Sequence, residues 1–356
     1  MKKLLFISLE HWDDIWRRNQ FFADRMQEDY DVTYIGPTLP ITQIIKKKIR
    51  FFKNIKCRYV YKMIPERLGS IALILNSLFY FFQVIFIAGI KTDILWVNDH
   101  TKYLICRELK HAKLVYDITD DWTLINYPQK EKEQVIHADK KLSMAADNII
   151  VCSDNLLVKK KQYGEKTVLI KNGINIADYQ SDNQSNSLGE YFLYTGSLHE
   201  ERLNIELVIA LATTFPEETF KYVGPVYFCN GTKIKLSKYK NIILTGAKPY
   251  QEMSMIMNQA KALLVPHLQT DFVNSLDPIK QYEYMLSTKP VVAINVSGFK
   301  DWGNIYTIVN SADEFKLAVQ RVLAGSTKVD SLLRAEMAKK STWDSRYQDV
   351  KKILKS

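Results

Sequence analysis

The residues that could do chemistry are most concentrated between positions 271 and 294, in the sequence DFVNSLDPIKQYEYMLSTKPVVAI. The pair Asp277-Pro278 is typical of a helix start, because aspartate caps free backbone N–H groups and proline is tolerated in the first helical turn. We therefore predict a helix from about Pro278 that leads into the buried apolar strand Val291–Ile294.

Lys280, Gln281 and Glu283 lie in the first turns of this predicted helix. Free N–H groups and the positive end of the helix dipole favour an anion at a helix start, and Lys280 adds a full charge. Glu283, three residues further on the same face, could accept hydrogen bonds from two hydroxyls of a sugar. Phosphate beside ribose suggests a nucleotide, whereas the alternative is an ordinary exposed Lys280–Glu283 pair.

This stretch resembles the donor-binding helix of GT-B-fold glycosyltransferases, in which two spaced glutamates precede a lysine-proline and an apolar strand. Glu283 with KPVVA behind it matches the second half of that pattern, and Ser275 stands where the first glutamate is found. Lysine followed by the tyrosine-glutamate-tyrosine of this chain is similar to bacterial group 1 polysaccharide glycosyltransferases, including the glucuronosyltransferase-like branch. The resemblance implies a donor site at Ser275, Lys280, Gln281 and Glu283, with Lys280 on the diphosphate.

Further donor-site candidates lie earlier in the second half of the chain. Gly196 allows close backbone approach to a phosphate, and Arg202 can reach the same anion. With Ser197, they resemble the glycine-plus-basic phosphate motif of the same family. Tyr250 could stack on a nucleobase. His267 could touch the donor, although a packed core histidine is the alternative.

Three carboxylates, Asp117, Asp120 and Asp121, follow a predicted strand at 113–116. Carboxylates crowded at a strand end are costly unless they are solvated, paired or functional. Their spacing resembles the acceptor-side motif of these glycosyltransferases, which implies that Asp120 or Asp121 takes the proton from an acceptor hydroxyl in an inverting transfer. Helix capping is the alternative, and a retaining transfer needs no such base.

The loop at 10–18, EHWDDIWRR, follows the first predicted strand at 3–9. Loops at the carboxyl ends of parallel strands line the ligand crevice of α/β sheets. We therefore expect the acceptor to contact this loop. The candidate residues are Trp12, Asp13, Arg17 and Arg18.

The formal charge of +10 indicates an anionic partner. The segment at 46–62, KKKIRFFKNIKCRYVYK, mixes basic and aromatic residues as a segment at the surface of an anionic bilayer does, whereas a solvated basic face is the alternative. No RNA-binding fold signature accompanies it, so nucleic acid is not expected. The candidate membrane contacts are Lys46, Lys47, Lys48, Arg50, Phe51, Phe52 and Lys53.

The apolar stretch at 70–90, SIALILNSLFYFFQVIFIAGI, is about long enough to span a bilayer. Asn76, Ser77 and Gln83 interrupt it, and a predicted strand at 93–97 follows at once. We predict a buried core helix of a βαβ unit. The alternative is a monotopic helix that touches lipid.

Strand and helix patterns alternate in both halves of the chain, which predicts the α/β class with two doubly wound, Rossmann-like domains facing a cleft, as the resemblance to GT-B implies. We expect an acceptor-binding domain at 1–175, a polar linker at 181–189, and a donor-binding domain at 188–340. The amphipathic helix at 341–356 is expected to pack back on the first domain. Four cysteines without a C-x-x-C pair indicate neither a zinc site nor a disulfide framework, and a reducing cytoplasm is the simplest compartment.

These patterns together predict a glycosyltransferase that moves a sugar from a nucleotide-diphosphate sugar to a lipid-linked or oligosaccharide acceptor in cell-surface polysaccharide synthesis. We expect it to be peripheral on the cytoplasmic membrane, at the inner leaflet. Metal-independent transfer without a cofactor is expected, since no metal-holding Asp-x-Asp cluster is evident beyond the aspartates at 117–121. The alternatives are an epimerase or phosphorylase on the same fold, and a non-catalytic scaffold at the membrane surface.

Overall fold

The computed structural model of the protein describes residues 1–44, 50–65, 68–179 and 189–355. The chain divides into two compact units, residues 1–171 with 347–356, and residues 172–346. These boundaries lie a few residues from the expected ones at 175 and 341. Most of the expected linker, and Lys46, Lys47 and Lys48, lie outside the described residues.

The first unit is built on an eight-stranded sheet. Its strands are β1 (Lys2–Ile7), β2 (Tyr30–Pro40), β3 (Arg50–Phe52), β4 (Ile55–Lys62), β5 (Lys91–Val97), β6 (Lys110–Ile118), β7 (Asn148–Val151) and β8 (Thr167–Leu169). The spatial order is β3-β4-β2-β1-β5-β6-β7-β8, and every neighbouring pair is parallel except β3 and β4. The order reverses between β1 and β5, as in doubly wound sheets.

The helices of the first unit connect these strands. They are α1 (Arg18–Met26), α2 (Ser70–Ala88), α3 (Tyr103–Glu108), α4 (Gln129–Ala145) and α5 (Asp154–Lys160). The central strands are covered on both faces, which is why they read as near-continuous apolar runs. Phe6 of β1, for example, is fully buried and stacks between Tyr34 and Trp96, with ring centroids at 5.2 and 5.7 Å.

The second unit has a six-stranded sheet in which every pair is parallel. Its strands are β9 (Tyr191–Thr195), β10 (Phe220–Val223), β11 (Ile242–Gly246), β12 (Ala260–Val265), β13 (Val291–Ile294) and β14 (Thr307–Val309). The order is β11-β10-β9-β12-β13-β14, so the winding reverses between β9 and β12. Two Rossmann-like α/β units confirm the predicted fold class.

The helices of the second unit lie between its strands and after the last one. They are α6 (Ile205–Thr214), α7 (Asn230–Leu236), α8 (Met253–Asn258), α9 (Asp271–Asn274), α10 (Lys280–Glu283), α11 (Ala312–Leu323) and α12 (Ser331–Lys340). The predicted strand at 291–294 has the observed bounds. The β14 strand, only three residues long, carried too little pattern to be predicted.

The last helix, α13 (Trp343–Lys355), belongs to the first unit from Tyr347 onward. The Tyr347 hydroxyl donates to the Asp29 carboxylate at 2.7 Å, and the Lys351 ammonium pairs with the same carboxylate at 2.9 Å. The Lys113 ammonium donates to the Ile353 carbonyl oxygen at 2.8 Å. These contacts attach the helix to residues beside β2 and on β6.

The prediction that the stretch at 70–90 is a buried core helix is wrong. A helix does form there, α2, and it connects β4 to β5. However, only 22% of Ile71–Ala88 is buried, and Phe86 is 93% exposed. By length and composition, this is the one helix among the described residues that could cross a membrane. The apolar pattern correctly predicted a helix. Which of its faces the rest of the protein covers depends on the tertiary structure.

Candidate active site

The carboxyl ends of β9 and β12 meet where the strand order of the second sheet reverses. In open parallel sheets, ligands bind at such a switch point. Gly196 and Ser197 follow β9, and His267 follows β12. A Cβ atom built on Gly196 would lie 3.0 Å from the Lys280 Nζ atom, so Lys280 of α10 reaches the same place. The fold therefore brings together Gly196 and Lys280, which the sequence predicted as separate parts of one donor site.

The Lys280 ammonium is held in an unusual environment. It lies 3.7 Å from the centroid of the Tyr194 ring, a cation–π arrangement. Burial lowers the pKa of Lys280 well below its usual value and the Arg202 charge adds to this, whereas Glu283 opposes it. In the part of the chain that the structure describes, Lys280 forms no ion pair with a carboxylate. A partly buried ammonium of this kind favours an anionic ligand.

Arg202 and His267 complete this electropositive cluster. The Arg202 guanidinium lies 5.6 Å from the centroid of the Phe272 ring. The His267 imidazole is buried, with Nε2 3.3 Å from the Tyr194 hydroxyl. Burial lowers the pKa of His267 well below its usual value, and the charges of Lys280 and Arg202 lower it further. The imidazole is therefore kept neutral, and the lysine and arginine carry the positive charge.

Glu283 lies at the end of α10 beside two tyrosines. Burial raises the pKa of Glu283, although contact with the Tyr179 hydroxyl and the Lys280 charge lower it. Tyr250 packs edge to face on Tyr179, with 5.5 Å between ring centroids. Burial and the Glu283 charge raise the pKa of both phenols. A carboxylate beside aromatic rings suits a ribose and its base. Tyr179 was missed in the sequence analysis, because it precedes the linker without any motif.

Helix α10 is much shorter than predicted, since only Lys280–Glu283 is α-helical. A one-turn helix has little macrodipole, so the structure does not support the predicted contribution of a helix dipole to anion binding. Asp277 does not cap this helix either. Its carboxylate accepts hydrogen bonds from the Tyr282 hydroxyl at 3.0 Å and from the Gln281 side chain. Anion binding here therefore depends on the Lys280 side chain.

Two of the expected donor contacts are buried and already engaged. Gln281 is 1% exposed, and its side-chain oxygen accepts from the Trp302 indole N–H at 2.6 Å. The Ser275 hydroxyl is buried and donates to the Phe272 carbonyl oxygen at 2.7 Å. The structure does not support a donor contact for either side chain. The Gln281 side chain instead joins α10 to Trp302 and Asp277 by hydrogen bonds.

In the first unit, the carboxylates after β6 have different environments. Asp117 is fully buried and accepts a hydrogen bond from Arg18 Nε at 3.0 Å, and Arg18 Nη2 forms an ion pair with the same carboxylate at 2.9 Å. Arg18, 2% exposed, also donates to the Ile170 carbonyl oxygen at 2.8 Å. The expected acceptor contact of Arg18 is corrected by this arrangement, because its guanidinium is buried and joins α1 to β6 and to the residue after β8.

Asp120 and Asp121, which the sequence did not distinguish, differ in the structure. The Asp121 carboxylate is buried, accepts from the Lys159 ammonium at 2.6 Å, and caps a 3₁₀ turn by accepting from the Thr123 N–H. Asp120 is partly buried and lies close enough to Glu10 to raise the pKa of that carboxyl. Asp121 therefore has the capping role that was the alternative, and Asp120 is the better candidate base.

Glu10 begins the loop after β1 and was not among the candidates. Burial raises the pKa of Glu10 although its ion pair with Arg17, at 2.9 Å, lowers it, and Asp120 and Asp14 raise it further. Glu10 could have been proposed from the sequence, because it follows the carboxyl end of a predicted strand, where ligands bind in α/β sheets. Arg17, an expected acceptor contact, is half-exposed and is joined to Glu10.

The other two acceptor candidates are also engaged within the first unit. Trp12 is buried in an aromatic cluster, 5.1 Å from both the Tyr34 and Phe52 ring centroids. The Asp13 carboxylate accepts from the Tyr59 hydroxyl. Trp12 therefore anchors the loop, while Asp13 is exposed at its surface.

The described part of the basic segment forms the β3–β4 hairpin. Phe51 is exposed, but Phe52 packs on Trp12, so the expected lipid contact of Phe52 is not supported. The Lys53 ammonium pairs with Asp24 at 2.8 Å and remains largely exposed. Arg50 lies on β3.

Across the described residues, no group of three or more His, Cys, Asp or Glu side chains could hold a metal ion.

No protein-family model matches the chain. Over 262 residues it is 23% identical to TuaH of Bacillus subtilis (strain 168), named as a teichuronic acid biosynthesis glycosyltransferase, and the match covers 67% of this chain. It spans 66% of the length of TuaH, slightly under two thirds.

Solved structures match nearly the whole chain. Sucrose-phosphate synthase from Thermosynechococcus elongatus has a TM-score of 0.78 at 15% identity, covering 99% of this chain and 98% of that one. Anabaena HepE in complex with UDP and glucose has a TM-score of 0.73 at 16% identity, covering 100% of both. The lipopolysaccharide outer core galactosyltransferase WaaB has a TM-score of 0.62 at 14% identity, covering 98% of both. The chain therefore has the fold of these structures, two Rossmann-like α/β units as in GT-B glycosyltransferases, and it is distantly similar in sequence to TuaH.

Proposed function

We propose that the protein transfers a sugar from a uridine-diphosphate sugar to a hydroxyl of a growing saccharide in cell-surface polysaccharide synthesis. The choice of uridine follows HepE, which has been solved with UDP-glucose. The choice of pathway follows TuaH and WaaB, which are named for teichuronic acid and lipopolysaccharide synthesis.

The observation that carries this proposal is the Lys280 ammonium, partly buried beside Gly196 and Arg202 at the switch point of the second sheet. In the reaction, the bond between the anomeric carbon and the diphosphate oxygen breaks, and its electron pair leaves with the diphosphate. Lys280 and Arg202 stabilise the charge that develops there. Glu283 accepts hydrogen bonds from the ribose hydroxyls, and Tyr250 stacks on the base.

On the acceptor side, a new bond forms between the acceptor oxygen and the anomeric carbon, and the hydroxyl proton leaves. We assign Asp120 as the base that takes this proton in an inverting transfer. The ion pair of Asp121 with Lys159 supports the choice of Asp120 over Asp121. A retaining enzyme would transfer the sugar without Asp120, so the stereochemistry of the product tests this assignment.

We further propose that the acceptor is lipid-linked, that the enzyme is cytoplasmic and peripheral on the inner leaflet, and that transfer needs no metal ion. The exposed Phe51 and the basic residues around it support the location. The two cationic side chains at the donor site support metal independence, since they can supply the charge that a divalent ion supplies elsewhere. Turnover that EDTA abolishes and magnesium restores would contradict this last part.

The deciding experiment is calorimetric and thermal-shift binding of UDP, GDP, ADP and CDP to the full chain. We expect UDP to raise the unfolding temperature by mass action. Lys280→Met should weaken UDP binding about tenfold or more, because it removes a charge-assisted contact. The matched control is Lys221→Met, since the Lys221 ammonium also lies over a tyrosine ring, 3.5 Å from the Tyr191 centroid. Tyr191 begins β9, whereas Tyr194, beside Lys280, lies near the end of that strand.

Equal losses in Lys280→Met and Lys221→Met would show that the effect is structural. If no nucleotide stabilises the folded protein, the donor site is wrong and a non-catalytic scaffold becomes the better reading. If UDP binds but UDP-sugars are not consumed with any saccharide acceptor, an epimerase or phosphorylase replaces the transferase.

A further inference from the structure

A surface helix usually turns its polar side chains to solvent and its apolar side chains to the core, and helix α2 departs from this pattern. It has 19 residues and no charged side chain. Its two amide side chains, Asn76 and Gln83, are turned towards the protein, while two of its phenylalanines, Phe82 and Phe86, are turned outward.

The inner face of α2 is fixed to the first unit. Ala72, Tyr80 and Val84 are buried on it. The Asn76 amide accepts from the Ile64 N–H at 3.1 Å and donates to the Ile64 carbonyl oxygen at 2.7 Å. The Gln83 amide makes the same pair of bonds with Tyr61, at 2.9 and 2.8 Å. Because these bonds hold the helix along β4 and the chain after it, α2 cannot leave the unit to span a bilayer without breaking them.

The outer face of α2 is a continuous apolar stripe. It consists of Ile71 (74% exposed), Leu75 (46%), Leu78 (51%), Phe82 (65%) and Phe86 (93%). Their spacing of three or four residues places them on one side of the helix. At 1.5 Å per residue the stripe is roughly 22 Å long. Exposed Leu68 and Ile90 extend it at either end in sequence. A stripe of this size on a soluble surface marks a binding site.

The charge of the surrounding sequence identifies the partner. Between residues 32 and 92, the chain carries ten basic residues and a single acidic one, Glu66. Two copies that met through this region would bring like charges together, which disfavours a dimer. Anionic lipid headgroups match both the charge and the apolar stripe.

We propose that the outer face of α2 inserts into the interfacial region of an anionic bilayer, with the helix axis parallel to the membrane surface. The stripe runs the length of the helix rather than around one end, which is why the axis lies in the plane. Basic residues flanking α2, such as Arg58 on β4 and Lys91 after the helix, meet the headgroups. This inference rests on the membrane location given in the proposed function, and it assigns the membrane contact to helix α2.

The test is co-sedimentation of the full chain with vesicles of phosphatidylcholine alone and of equal parts phosphatidylcholine and phosphatidylglycerol, without any substrate. We expect binding to the mixed vesicles. Phe82→Ser combined with Phe86→Ser should weaken it about tenfold or more, since two aromatic side chains no longer leave water. The matched control is Val158→Ser with Leu332→Ser, two apolar side chains that are 72% and 87% exposed on other helices.

A second measurement reports insertion directly. In Phe86→Trp, mixed vesicles should blue-shift the added fluorescence, and brominated acyl chains should quench it, whereas Leu332→Trp should show neither effect. Binding that the two serines leave unchanged, or that high salt removes completely, would overturn insertion in favour of headgroup attraction alone. A dimer in light scattering that the serine variant dissociates, without vesicle binding, would assign the face to a second copy. UDP affinity of the serine variant should be unchanged, so failure of this inference is distinguishable from failure of the donor site.

Discussion

At the scale of single residues, the structure separates two neighbouring carboxylates that could each have been the base. Asp121 is buried against Lys159 and the Thr123 N–H, whereas Asp120 is the one that faces Glu10. We predict that Asp120→Asn abolishes sugar transfer and leaves UDP affinity unchanged. Asp121→Asn should instead lower the free energy of unfolding by about 1–3 kcal/mol, because a buried ion pair loses one partner.

These two variants serve as controls for each other in transfer assays and urea unfolding. Full activity in Asp120→Asn would contradict its role as base and favour a retaining mechanism. Lys159→Met should reproduce the loss of stability in Asp121→Asn, since it breaks the same pair.

A second prediction at this scale concerns the protonation of Lys280. Burial and the Arg202 charge hold the pKa of Lys280 well below its usual value, while the Glu283 charge acts in the opposite direction. A bound diphosphate favours the charged ammonium, so binding raises this pKa and takes up a proton. UDP affinity should therefore fall as the pH rises through the pKa of Lys280 in the free protein.

Calorimetry of UDP binding in buffers of different ionisation enthalpy measures this proton uptake. We expect it in the natural protein and in Lys221→Met, and expect it to be reduced in Lys280→Met. Uptake that is the same in all three proteins would show that another group titrates.

At the scale of elements, the donor site depends on how closely the ends of neighbouring strands approach. Gly224, after β10, has φ +149°, and a Cβ atom there would lie 2.1 Å from the Gly196 carbonyl oxygen. We predict that Gly224→Ala lowers the free energy of unfolding by about 3 kcal/mol or more, because the backbone of Gly196 must move. It should also weaken UDP binding, since Gly196 contacts Lys280.

Gly246→Ala is the matched control, because Gly246 ends β11 with φ +74° and open space around its Cβ position. It should cost only the roughly 1–2 kcal/mol of a left-handed conformation and leave UDP affinity intact. Equal effects of the two substitutions in urea unfolding and calorimetry would contradict the steric argument.

At the scale of the whole molecule, α13 returns the end of the chain to the first unit through Asp29. Hydrogen bonds from Lys351 and Tyr347 lower the pKa of Asp29 below its usual 3.8, against a smaller opposing effect of burial. A lowered carboxyl pKa contributes stability above pH 3.8 that is lost as the pH falls through the pKa of the folded state. Asp29→Asn should therefore lower the free energy of unfolding by about 1 kcal/mol or less at neutral pH, since the site is largely exposed. In strong acid the substitution should leave the free energy of unfolding unchanged.

Urea unfolding at neutral and acid pH measures this difference. Asp349→Asn is the control, because its carboxylate pairs with Lys352 one turn along α13. A cost of Asp29→Asn that persists in strong acid would show that the carboxylate is not the cause.

Features that depend on the local order of residues could be predicted from the sequence alone. The strand β13 was predicted with its observed bounds, because parallel strands covered on both faces are short apolar runs between turn residues. Lys280, Gly196 and Arg202 were also predicted, since their residue types and positions after strands suit an anion. The two-domain α/β class followed from the alternation of strands and helices.

Which of the polar candidates could contact a ligand depends on how the folded chain buries and pairs them. Arg18 and Asp117 are distant in the chain, and their burial together removes both from the surface. Asp121 is distinguished from Asp120 by Lys159, which no spacing rule connects to it. Helix α2 has large apolar side chains on both its inner and its outer face, so its sequence could not show that one face packs on β4 while the other is exposed. Burial and pairing are properties of contacts between distant residues, and a single sequence contains the residues without their neighbours.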